Sequence, residues 1–142
     1  MADDSHHLRR FTDAQDGAFE TALAELRAGA KQSHWMWFVF PQIAGLGRSP
    51  TASFYAIASA DEARAYLAHP LLGARLRACA EALLAHRGRS AEAILGAVDA
   101  MKLKSSMTLF EAVAEDSAPF AAVLDAFFDG ERDPATLDLL RG

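Results

Sequence analysis

The stretch KQSHWMWFVFPQ at residues 31–42 sets a cation, an imidazole, two indoles and an amide within twelve positions. Aromatic faces flanked by Lys31, His34 and Gln42 suit a ligand with a flat ring and a charged or polar end, such as a nucleotide. Trp35 and Trp37 are the ring-binding candidates, and His34 is a candidate acid/base. A second stretch, KLKSS at 102–106, offers Lys102, Lys104, Ser105 and Ser106. On a helix, residues two apart point about 200° apart, so the two lysines cannot serve one site. Either one, with a serine of its own face, supplies a charge and a hydroxyl for a phosphate. Asp99, just upstream, is the candidate acid/base of this second stretch. A third anion candidate is Arg48-Ser49-Pro50, where Gly45 and Gly47 allow close backbone approach and a helix start supplies free N–H groups.

These stretches differ in composition from the rest of the chain. Of 142 residues, 31 are Ala and 17 Leu, against four Val and three Ile, which predicts an all-α fold. Two windows, 31–43 and 101–111, contain no Ala at all. They hold both tryptophans, all three lysines and every methionine after the first, whereas all eleven arginines lie outside them. The windows therefore mark where to look for chemistry.

The elements that position them follow from caps and periodicity. Residues 1–10 are expected to be frayed, with 11–142 forming one compact domain of about eight or nine helices. Thr12 or Asp13 opens a helix to Gly29, carrying Phe19, Ala22, Leu23 and Leu26 on one face. Ser33 caps a short turn closed by Pro41. Ser49-Pro50 and the box Ser59…Glu62 open the next two helices. His69-Pro70 ends the second of these. A long helix follows through Leu72, Leu76, Leu83 and Leu84. Ser90 caps a short helix ending at Gly96. Asp99 caps another, which the box Thr108…Glu111 restarts or kinks. Ser117 and Asp133-Pro134 open the last two.

Several chemistries are excluded. A single cysteine, Cys79, lies in an Ala/Leu-rich helix with no adjacent base, so it is a packing residue rather than a nucleophile. No HExxH, Cys/His cluster or GxSxG occurs, so neither a metal nor a cofactor is expected. The formal net charge of −5 argues against a nucleic-acid or anionic-membrane partner, and no apolar run or leader segment points away from the cytoplasm. The partner expected is a small molecule.

The segments KQSHWMWFVFPQIAGLGRSP (31–50), YAIASADEARAYLAHPLLGARL (55–76), DAMKLKSSMTLFEAV (99–113) and FFDGERDPATLDLL (127–140) resemble a bacterial family of small domains of unknown function often labelled "calpastatin". The resemblance runs from Leu8 to Leu140 and implies a mainly helical fold. Calpain inhibition does not follow from the label: such inhibitors are disordered and proline-rich, whereas this chain is 51% apolar with five prolines. A looser similarity to helical NADAR-type domains, which act on ADP-ribose-linked compounds, implies an ADP-ribose-like ligand. Hydrolysis or transfer at a glycosidic or phosphate bond is the matching reaction class. A non-enzymatic docking role for the Trp-rich stretch is the alternative.

Overall fold

Alanine-rich helices can approach one another closely, and here they wrap around one helix whose middle is buried on every side. The computed structural model describes residues 6–141, which form ten helices and no strand. They are α1 (Arg9–Gln15), α2 (Ala18–Ala28), α3 (Met36–Val39), α4 (Pro50–Phe54) and α5 (Ala60–Ala68), then α6 (Leu72–Leu84), α7 (Ala91–Leu95), α8 (Ala97–Val113), α9 (Ala118–Phe127) and α10 (Pro134–Arg141). Helix α8 is central: α5, α7, α9 and α10 all pack on it. Six consecutive residues, 105–110, are buried, which is the signature of a helix surrounded by others rather than lying on a surface. A chain of rings ties the layers together. Phe11 meets Tyr66 edge-on at 5.1 Å, Tyr66 meets Phe110 at 5.3 Å, and Phe110 meets Phe120 at 6.0 Å. Burial pushes the Cys79 thiol up to about 12, so it stays protonated and serves as packing.

The local caps act as expected at four starts. Ser49, Ser59 and Ser90 accept from backbone N–H groups three residues on, and the Asp133 carboxylate accepts from Thr136 N at 3.3 Å. Four expectations need correction. The first helix opens at Arg9, so Thr12 and Asp13 lie inside it rather than cap it, and it is two helices because Gly17 adopts φ +79°, a left-handed conformation that breaks the hydrogen-bond ladder. Ser33 caps nothing: α3 begins after Trp35, and the Ser33 hydroxyl donates to Glu25 instead. Asp99 is not a cap either, since Gly96 occupies that place and Asp99 falls in the first turn of α8. Thr108 does not restart the helix, because its hydroxyl donates to the Lys104 carbonyl one turn back, and α8 runs straight through.

At the amino-terminal end Leu8 is buried, and Arg9 and Arg10 belong to α1. Residues 1–5 lie outside the described part. The Arg10 guanidinium pairs with Glu62 at 2.7 Å and donates to the carbonyls of Phe54 and Ala56, pinning the chain after α4. There a single parallel bridge joins Ile43 and Ile57 and fixes the loop that follows the Trp-rich stretch. No helix among the described residues is long and apolar enough to cross a membrane.

Candidate functional site

Helix α2 ends at Gly29, and the chain then crosses to the junction of α7 and α8, where Lys31 N donates to the Ile94 carbonyl at 2.9 Å. This crossing carries Lys31 to the first turn of α8. Its Nζ lies 2.9 Å from Asp99 Oδ2, and Lys102 Nζ lies 3.3 Å from Asp99 Oδ1. Each ammonium also sits over an indole. Lys31 is 4.9 Å from the centre of Trp35, and Lys102 is 4.6 Å from that of Trp37. The side chains are 7% (Lys31), 18% (Asp99) and 21% (Lys102) exposed, so the charges are mostly withdrawn from water but Lys102 remains reachable. Both Ala-free windows thus meet at one carboxylate.

The crossing segment is held by a residue that the sequence reasoning missed. Glu25 Oε1 accepts from Gln32 N at 2.8 Å, Ser33 N at 3.0 Å and the Trp35 indole N–H at 2.9 Å, while Oε2 accepts from the Ser33 hydroxyl at 2.6 Å. Partial burial on its own would raise this carboxyl. The bonds from Ser33, Gln32 and Trp35 outweigh it and hold the group at about 2. One signal was available in the sequence. An acid in the last turn of a helix opposes the helix dipole, so Glu25 needed a partner further along the chain.

The remaining candidates scatter. His34 is exposed, and its ring makes no hydrogen bond among the described residues. Gln42 is half-buried and borders, with Trp37, Gly47 and Tyr55, a cleft with room for about one water molecule (about 10 Å³). Arg48 and Ser49 are exposed, and the Ser49 hydroxyl is used in capping α4. The two glycines of that loop are exposed but packed on their Cβ side: a Cβ on Gly45 would meet Leu139 at 3.1 Å, and one on Gly47 would meet Ala52 at 2.6 Å.

The expected Lys104–Ser105 phosphate pair is already occupied by acids. Lys104 pairs with Glu131 at 3.2 Å, and Ser105 Oγ donates to Asp133 at 3.0 Å, so this face of α8 docks the start of α10. Ser106 is wholly buried, and its hydroxyl has no partner. Of the two lysines on α8, Lys102 is therefore the one joined to Lys31 and Asp99. Two large apolar side chains flank this cluster on α8, Val98 and Met101, which are 68% and 73% exposed. Among the described residues, no group of three or more His, Cys, Asp or Glu side chains is placed to hold a metal ion.

A solved structure is similar over almost the whole length. It is the crystal structure of the conserved hypothetical protein Rv1873 from Mycobacterium tuberculosis at 1.38 Å, with 47% sequence identity and a TM-score of 0.96. The alignment covers 98% of this chain and 99% of that one. No curated protein matches. The family model described as "Protein of unknown function (DUF1810)" matches residues 5–140, and the chain therefore belongs to that family.

Proposed function

We propose that the Lys31–Asp99–Lys102 cluster binds an anionic, ring-bearing small molecule, nucleotide-like or ADP-ribose-like. The observation that carries this is the placing of three charges, all mostly shielded from water, between two indoles. Withdrawing ions from water costs several kcal/mol each, and apolar residues of similar size often serve stability as well or better. A cluster of this kind is thus poorly explained by folding alone. The two ammoniums outnumber the one carboxylate, which favours an anion, and Trp37 borders Lys102 with a half-buried flat face.

Binding has more support than catalysis. Both Asp99 oxygens are engaged by lysines, and His34 is exposed with no hydrogen bond among the described residues to orient its ring, so neither acid/base candidate for hydrolysis or transfer at a glycosidic or phosphate bond has a contact that supports the role. The competing docking role has less support, because Trp35 is buried with its N–H on Glu25, and Trp37 is half-buried. Calpain inhibition has none in a chain with a packed aromatic core. The proposal keeps the cytoplasm as its setting, with no nucleic-acid or membrane partner, on the net charge of −5.

A thermal-shift screen with nucleotides, ADP-ribose and related metabolites tests it. A ligand at 100 times its dissociation constant adds about 2.7 kcal/mol, a rise of several degrees for a domain of this size. The expected result is a hit that Lys31→Ala and Lys102→Ala each abolish and Lys104→Ala leaves intact. No shift with any compound overturns the proposal.

A further inference from the structure

The donor inventory of the two lysines narrows the ligand class, granted the binding site proposed above. An ammonium has three N–H groups. Lys31 has three neighbours for them: Asp99 Oδ2 at 2.9 Å, the Ser33 carbonyl at 2.5 Å and the face of Trp35. Lys102 has two, Asp99 Oδ1 at 3.3 Å and the face of Trp37, and it is the more exposed of the pair. The spare donor therefore belongs to Lys102 alone.

Charge gives the same answer. Two ammoniums and one carboxylate leave one net positive charge. Glu25, bonded to Ser33 and to the Trp35 indole, adds negative charge on the Lys31 side. Any oxyanion that reaches Lys102 also lies beside Asp99, whose Oδ1 shares that ammonium. A singly charged group balances Lys31, Asp99 and Lys102 taken together, and with Glu25 on the Trp35 side no positive charge is left for a second. A doubly charged one brings an unmatched negative charge against Asp99 in partly desolvated surroundings.

We infer that this site selects a singly charged oxyanion, a carboxylate or a phosphodiester, over a phosphate monoester dianion. Val98 and Met101 stand one residue round the helix from Asp99 and Lys102, and both are largely exposed. They form an apolar ledge for the uncharged body of the ligand.

A matched series of probes tests the selection: adenosine, adenosine-5′-carboxylate, adenosine 5′-monophosphate methyl ester and adenosine 5′-monophosphate itself. At about pH 8 the last is a dianion, since its second proton leaves near pH 6. The chain has two tryptophans, so ¹⁵N–¹H spectra show two indole signals. Trp35 N–H is tied to Glu25 and serves as the internal reference, while Trp37 reports the site.

Both monoanions are expected to move the Trp37 signal with affinities at least about tenfold tighter than the dianion or the neutral nucleoside. Lys102→Met is expected to remove the response while the Trp35 signal stays in place, which shows the variant is folded. Tightest binding by the dianion overturns the selection and leaves the binding site standing. Equal binding of all four also overturns it. Silence of Trp37 toward all four overturns the binding site and the selection together.

Discussion

Replacing Glu25 by Gln removes a charge while keeping nearly every atom in place. The amide oxygen can still accept from Gln32 N, Ser33 N and the Trp35 indole, and the amide nitrogen can donate to a Ser33 hydroxyl that turns to accept. What disappears is the charge assistance that holds the carboxyl at about 2 instead of 4.5. At about 1.4 kcal/mol per pH unit between those values, the ceiling is about 3 kcal/mol; solvent screening of a partly exposed group brings this to about 1–2 kcal/mol.

A depressed carboxyl stabilises the fold in full above its unfolded value and loses that contribution as pH falls through its folded value. The advantage of the parent over Glu25→Gln therefore holds at neutral pH and shrinks below about pH 4.5, by more than half at about pH 3. Glu25→Ala leaves two backbone N–H groups, an indole N–H and a hydroxyl without their acceptor, for a loss of about 3–4 kcal/mol. Urea unfolding followed by tryptophan fluorescence at both pH values measures all three proteins. If Glu25→Gln matches the parent at neutral pH with the same acid dependence, the carboxylate is not what holds the crossing segment.

Asp99→Ala strips the partner from a buried ammonium and is expected to cost about 2–4 kcal/mol in urea unfolding, most of it recovered by adding Lys31→Met. No recovery would mean that the charge of Lys31 is not the cause. Ser106→Ala is expected to raise stability by about 1 kcal/mol, because it deletes a buried hydroxyl with no partner. A loss of stability instead would show that the hydroxyl is hydrogen-bonded in solution. Gly73→Ala puts a Cβ 2.1 Å from the Leu67 carbonyl oxygen where α5 turns into α6, and backbone cannot give way as a side chain can. Thermal unfolding is expected to fall by the equivalent of about 3 kcal/mol, and an unchanged midpoint would contradict this packing.

What the sequence made legible was mainly what is local. Ser49, Ser59, Ser90 and Asp133 act as caps because a cap needs only its own helix, three residues away. The errors arise where two local solutions compete. Thr108 and Glu111 match the capping-box pattern, but the Thr108 hydroxyl donates to the Lys104 carbonyl, and Glu111 pairs with Arg132 from beyond α9. Gly17 follows Asp16, and Asp-Gly is a turn signal, but the apolar stripe from Phe19 to Leu26 favours reading one helix through it. For the site, spacing alone separated Lys102 from Lys104. It could not say which of them faces Lys31, because that depends on where a segment 70 residues upstream crosses α8.

The split between lysines and arginines has a physical reading once the contacts are known. Several arginines in this chain bridge segments with their planar forks. Arg10 reaches the distant carbonyls of Phe54 and Ala56 and the Glu62 carboxylate, Arg77 the Asp116 carbonyl, Arg89 the Gly29 carbonyl, and Arg132 both Glu111 and Asp125. These are framework contacts, for which a fixed fork is the better tool. At Lys31 the three neighbours are a carboxylate, a carbonyl and the face of an indole, one for each of the rotatable donors of a compact ammonium. At Lys102 two of the donors have neighbours, Asp99 and Trp37. Arginines pin the scaffold and lysines supply point charges. Two of the three lysines supply theirs to one carboxylate, which is why the Ala-free windows, far apart in the chain, coincide in space.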